Sequence, residues 1–485
     1  MWKKTIVVAA LLSIVLATVL GSLVLTSASS CENPPMPTVT DKSVKQVPSM
    51  AQPAARTPYI DQVFGTCVVR VTDHGTDATK EDASHGLKNE YSRVQSFNAD
   101  ETRLVAVSTG GDWYLYDAKT LQPLGKMNFA GKDVRWDAKD PNLLYYSPMD
   151  TRLMSYNVQS NESKLVHNFT SDFPGKQLTA VWTRYEGSPT VDGRYWGLMA
   201  EDKDWKAIAF LVYDKQDDKI VAMREIPPTS VDSVSISPRG NYFVAFQIEC
   251  SNNQTADAAH PCGTMVYDKD LKNAKSLGTH AGHGDLAFDT QGREVFVFQD
   301  SGTDYLSMAD LETGTVTKLW PIDFSSQPLT IDSIHISGRA FGKPGWALVS
   351  TAAGTLNAST WMDGQEFAME LAPNGQIVRL AHNHCVIDKK QEHDYWAEPH
   401  GSVNRDFTKV LFTSNWGQSG TEGVDMYLVA LPANAVTSKI GPIDTASGAS
   451  NSNQEKIPGF EGVSALAALA VGASVVLVMK RLMQR

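Results

Sequence analysis

The stretch H-N-H-C-V-I-D-K-K-Q-E-H-D-Y-W-A-E-P-H, His382 to His400, holds four of the eleven histidines of a 485-residue chain. Imidazole at that density can ligate a metal, move a proton near neutral pH, or serve as ordinary polar loop. Two further histidines stand in strand-like settings, His283 in A-G-H-G-D-L-A-F and His335 in D-S-I-H-I-S-G-R. Other chemistries lack their residues. No G-x-S-x-G, H-E-x-x-H or phosphate-binding loop occurs, so serine hydrolysis and nucleotide-dependent activity have no support. A net charge of −11 argues against a nucleic-acid partner, which would need a basic face.

What could gather these side chains is a repeat. Between Thr57 and Pro432 the chain shows short β-rich runs broken by turns. One copy reads V-D-S-V-S-I-S-P-R-G-N-Y-F-V-A-F-Q, then T-M-V-Y-D-K-D-L-K-N-A-K-S-L-G. Another reads G-D-L-A-F-D-T-Q-G-R-E-V-F-V-F-Q, then D-Y-L-S-M-A-D-L-E-T-G-T-V-T-K-L. A spacing of roughly 40 to 50 residues is the period of a four-stranded propeller blade, and such blades bury their faces by stacking around an axis. The expected fold is an all-β propeller of about seven four-stranded blades, starting near Arg93, Val134, Val181, Val231, Gly284, Ile331 and His400. The early strand Cys67–Asp73 is left over and would complete the last blade. A pair of β-sandwiches is the alternative.

S-I-S-P-R-G and N-A-D-E-T-R-L resemble the turn of TolB-type and WD-repeat-like propellers, a likeness that covers residues 57–433. Aligned on the turn after the innermost strand, His283 falls nine positions before it, His400 seven, and His335 about five. The offsets share one parity, and strand side chains alternate with period two. The three imidazoles are therefore expected to point the same way at one end of the axis. His382 and His384 fall on the crossing that leads to Glu398-Pro399-His400.

That geography resembles the oligogalacturonate lyases, which hold a divalent cation with histidines of adjacent blades, one of them in an H-P-H motif. Here Glu398-Pro399-His400 stands in that place, with a carboxylate for one imidazole. The resemblance implies a metal set of His283, His335, Glu398 and His400, suited to Mn²⁺ or Ca²⁺, with His335 or His384 as candidate catalytic base. Arg339 and Arg93 lie near suitable places for a substrate arginine. The same histidines could instead hydrogen-bond loops between blades and bind nothing. Trp346, Trp361, Trp396 and Trp416 read as packing.

The two ends are apolar. Residues 1–30 carry two lysines, a long apolar run and small residues, the pattern of a signal peptide or N-terminal anchor. Cys31 could suggest a lipoprotein, but Ala28 stands where a lipobox needs Leu. Residues 31–56 form a linker and 434–457 a polar tether. Residues 458–485 place Pro458-Gly459-Phe460 before an apolar run, Val463–Met479, and a basic end. This segment resembles the archaeal PGF-CTERM sorting signal, which implies removal of the tail and a lipid in its place; a plain transmembrane anchor is the other possibility. Both put the chain at the cell surface, on the outer face of the membrane. There disulfides are permitted. Cys250–Cys262 closing a hairpin loop is the expected pair, and Cys67 with Cys385 a further candidate. Sequons at Asn161, Asn168, Asn253 and Asn357 permit glycosylation.

Two functions follow as expectations: an anchored propeller that binds a polysaccharide or an envelope protein, or a divalent-metal-dependent uronate lyase acting at the mouth of the axis. The sequence leaves open whether the chain is an enzyme.

Overall fold

Strand follows strand with little else between Pro58 and Ala430. The computed structural model describes residues 31–251, 256–324, 331–388, 390–421 and 423–443. Five sheets have four antiparallel strands each, within 132–168, 180–229, 233–276, 281–321 and 331–382. In each, an inner strand pairs with a nearly all-buried second strand. Tyr242–Ile248 and Glu294–Asp300 are examples, and their Val, Phe and Ala content suits strands covered on both faces. Neighbouring sheets share apolar layers. Phe210 and Val212 of the 180–229 blade meet Val234 and Phe243 of the next, and Val295 and Val297 meet Ile334 and Val349. Each fully buried side chain of this kind contributes about 1.5–3 kcal/mol.

The fold is thus an all-β propeller, but the expected count of about seven four-stranded blades is corrected to five. The remaining strands form a single nine-stranded sheet. Two of its members, Leu87–Lys88 and Ser402–Val403, have only two residues, too few to edge independent blades. Asp425, at the start of strand Asp425–Ala430, pairs in parallel with Leu87 and fuses the two halves. The leftover early strand, Cys67–Arg70, pairs antiparallel with Tyr427–Ala430, and Pro58–Ile60 adds outside it.

Cys250 and Cys262 are joined, as are Cys31 and Cys67. The candidate pairing of Cys67 with Cys385 is therefore corrected. Cys385 is free and buried, and its thiol donates to the carbonyls of Ala397 and Thr413 at 3.0 and 3.1 Å. No described helix is long and apolar enough to cross a membrane. Both terminal segments, 1–30 and 458–485, lie outside the described residues, as does Asn253. Asn161, Asn168 and Asn357 are exposed.

The inner strands set two ends to the axis. They begin near the histidines and turn back at the other end, as at Ser237–Gly240 and Asp289–Gly292. Near the second end, a Cβ on Gly292 would meet Ile440 and Ile443 at 3.1 and 3.2 Å. Cys31 lines a depression there with Glu101, Thr408 and Lys409.

Candidate metal centre

His335 sits fifth in strand Ile331–Ser337, and His400 stands one residue, Gly401, before the short strand Ser402–Val403. Between them a 3-10 turn, Glu392–Ala397, ends the crossing and delivers Glu398. His335 Nε2 and Glu398 Oε2 lie 2.6 Å apart, and His400 Nε2 is 3.6 Å from the same oxygen. One ligand atom from each of the three fits within a 4.8 Å cluster. The His335 and His400 rings pack edge to face at 4.3 Å.

His283 stacks on His335 at 4.9 Å but stands outside the tight trio. Its Nδ1 lies 3.2 Å from the Ile334 carbonyl. A carbonyl only accepts, so Nδ1 carries the proton and Nε2 keeps a lone pair. Burial, then the neighbouring His335, lowers its pKa to about 4. Burial likewise holds His400 well below the usual range. Both are neutral imidazoles at physiological pH, the form that ligates metals.

The local backbone is shaped for this. His400 has a φ of 44°, a left-handed conformation costly for a residue with a Cβ. Asn89 holds it there, donating to the His400 carbonyl at 2.6 Å while accepting from Thr413. Position 401 must be glycine, because a Cβ would come within 2.4 Å of Glu366 Oε2. Glu366 is buried, accepts from Ser350 and Asn383, and is pushed up to about 8 by burial.

His382 and His384 have other employment. His382 stacks on Phe64 at 4.4 Å and hydrogen-bonds Asp61. His384 stacks on Trp416 at 4.0 Å, outside the trio. Arg339 is buried and locked in a two-pronged pair with Asp285, its Nη2 also donating to the Leu286 carbonyl. Arg93 is buried across the axis. It donates to the Gly284 carbonyl and to Ser233, and its Nη1 lies 2.8 Å from Glu186.

Four residues went unnoticed in the sequence. Tyr91 packs on His400 and His335 at 4.8 and 5.4 Å. Glu90 pairs with Arg135 at 3.1 Å. Burial pushes Glu90 and Glu186 up to about 7. Lys88 caps the Asn89 and Glu90 carbonyls and is lowered to about 8 by burial. The string K-N-E-Y-S-R, Lys88 to Arg93, was the available signal: a polar run leading out of the two-residue strand Leu87–Lys88, yet largely buried.

Solved propellers share this fold. The chain is similar to an oligogalacturonate lyase in complex with manganese, at 16% identity and a TM-score of 0.52, over 78% of this chain and 96% of that one. It is also similar to the oligogalacturonate lyase of Vibrio parahaemolyticus, at 14% identity and a TM-score of 0.53, over 78% and 97%. At such identity the likeness speaks to fold. No family model and no curated protein matches the sequence.

The residues fit a divalent cation on their own chemistry. Buried Nδ1 atoms of His335 and His400 have no hydrogen-bond partner, while their Nε2 atoms face one carboxylate. Two imidazoles and a carboxylate are a borderline-to-hard donor set.

Proposed function

We propose that this chain is a divalent-cation-dependent lyase that cleaves a uronate-containing oligosaccharide at the mouth of the propeller axis. The observation that carries the proposal is the convergence of His335, Glu398 and His400 within 4.8 Å. Those three residues would hold the cation. Mn²⁺ is the first candidate, because a similar fold binds manganese, and Ca²⁺ the second. A bound cation would draw charge from a uronate carboxylate and so acidify the proton beside it.

The remaining roles fall to the chain itself. His283 offers an unprotonated Nε2, the requirement for removing a proton. Of the two bases expected from sequence, His335 is engaged with Glu398 and His384 with Trp416. Tyr91 and the Arg93–Glu186 pair wall the site and orient what enters. The two disulfides support a location outside the reducing cytoplasm, in keeping with a chain tethered at the outer membrane face.

The test is absorbance in the ultraviolet, where the unsaturated uronate product absorbs, on a panel of oligouronates with Mn²⁺ or Ca²⁺ supplied. Wild type should produce the rise, and chelation should abolish it. His400→Ala and Glu398→Gln should cut turnover at least 100-fold and release the cation, measured by elemental analysis. Cation retention with saccharide binding but no absorbance rise across the panel would replace the lyase by a binding propeller.

A further inference from the structure

Three aromatic side chains on the 180–229 blade break the pattern of the rest of the surface. Trp182 is buried, its indole N–H donated to Glu201 at 2.6 Å. Tyr185 and Trp205 flank it at centroid distances of 5.0 and 5.8 Å, tilted by 58° and 47°. Each of the two is 40% exposed. Contiguous exposed apolar surface with a polar rim is one mark of a ligand or contact site.

Their backbone carries a second, independent sign. Tyr185 has φ 76° and Trp205 φ 57°. The first sits in an irregular loop after strand Ala180–Trp182, the second in the turn between strands Tyr195–Glu201 and Ala207–Asp214. Turns accommodate this conformation with Gly or Asn at little cost. A bulky ring there costs about 1–2 kcal/mol, and such strain collects at ligand clamps. The loop is held against the strain. Asp133 accepts from Thr183 and from the Tyr185 amide, and Arg135 donates to the Tyr185 carbonyl at 2.6 Å.

The place is adjacent to the candidate centre. Residue 186, next to Tyr185, pairs with Arg93 on the axis. The turn holding Trp205 joins the second and third strands, and in an antiparallel blade that turn lies at the end where the inner strand begins, the histidine end. Tyr395, in the 3-10 turn Glu392–Ala397 that delivers Glu398, is 61% exposed.

We propose that Tyr185 and Trp205, seated on Trp182, form a saccharide platform that stacks a pyranose ring of the chain whose uronate occupies the histidine mouth. The identity of that chain rests on the lyase proposal; the platform itself does not. Pyranoses present an apolar C–H face to aromatic rings and hydroxyls to a polar rim. Two exposed rings are also far too small for a stable protein interface, which needs about 800 Å² from each partner.

The experiment is calorimetric titration of chelator-treated full-length protein with oligogalacturonates of increasing length, beside thermal melting. Wild type should bind longer oligomers more tightly than the dimer. Tyr185→Ala and Trp205→Gly should each weaken long-oligomer binding about tenfold and erase the length dependence. Because glycine suits φ 57°, Trp205→Gly should melt no lower than wild type. Unchanged long-oligomer binding in both variants overturns the platform. So does a lower melting temperature for Trp205→Gly with binding intact, which would make the ring packing, and so does failure of wild type to bind any oligogalacturonate. Length-dependent binding without ultraviolet product in loaded protein would remove the lyase and leave the platform standing.

Discussion

Glu366 sits fully buried behind the candidate centre, with hydrogen bonds from Ser350 and Asn383 at 2.6 and 3.1 Å but none to Oε2. Burial moves its pKa from the ordinary 4.5 to about 8. Between those values the folded chain keeps a proton that the unfolded chain has released. Stability is therefore complete below about 4.5, falls as pH rises through the window, and levels off above about 8. Glu366→Gln keeps the acceptor for Ser350 and Asn383 and removes the titration. Melting curves from pH 4 to 9, with pH as about the only variable, should show the variant gaining on wild type by an amount on the order of a few kcal/mol. Parallel curves for the two proteins would show that Glu366 does not carry this dependence.

At this scale the sequence was partly legible. The parity of His283, His335 and His400 is a local property of strands, so it could be read from offsets to a turn. The arrival of Glu398 beside them could be read from an E-P-H triplet at a strand start. The polar run Lys88–Arg93 set Tyr91 apart but not its partners, and Glu186 had no mark at all: both lie far in sequence from His400, and nothing local says which strands will be neighbours. Tyr185 and Trp205 escaped for another reason: left-handed backbone at an aromatic residue leaves no mark on hydrophobic patterning.

Among elements, the two cross-links differ in what they close. Cys31–Cys67 spans 36 residues and Cys250–Cys262 spans 12. Restricting the unfolded chain is worth more for the longer loop, by about 1 kcal/mol on the logarithmic dependence. Cys31→Ser should thus lower the denaturant midpoint further than Cys250→Ser. The longer link also fastens residue 31 to strand Cys67–Arg70, whose Val68 and Val69 are buried and which pairs with Tyr427–Ala430. The reverse ranking would show that strain or residual unfolded structure outweighs loop length. The Cys250–Cys262 pair was readable from a polar loop between two strands. Cys31 was not, because its partner strand belongs in space to the far end of the chain. The merged nine-stranded sheet was hidden in the same way, since two-residue strands carry no period to detect.

For the whole molecule, the tether reading makes an expectation about place. Intact cells making the full-length chain should turn over an added oligouronate that cannot cross the membrane, and washed cells should keep that activity. Product formed only after lysis would put the protein inside. The described chain enters at Cys31 and leaves at Ile443 among the turns at one end of the axis, while the imidazoles and the exposed rings occupy the other. A support attached at Cys31 or Ile443 would therefore hold the propeller from behind. A polymer of any length could lie across the front without steric conflict with it, so immobilisation through those two positions should cost no access to long substrates.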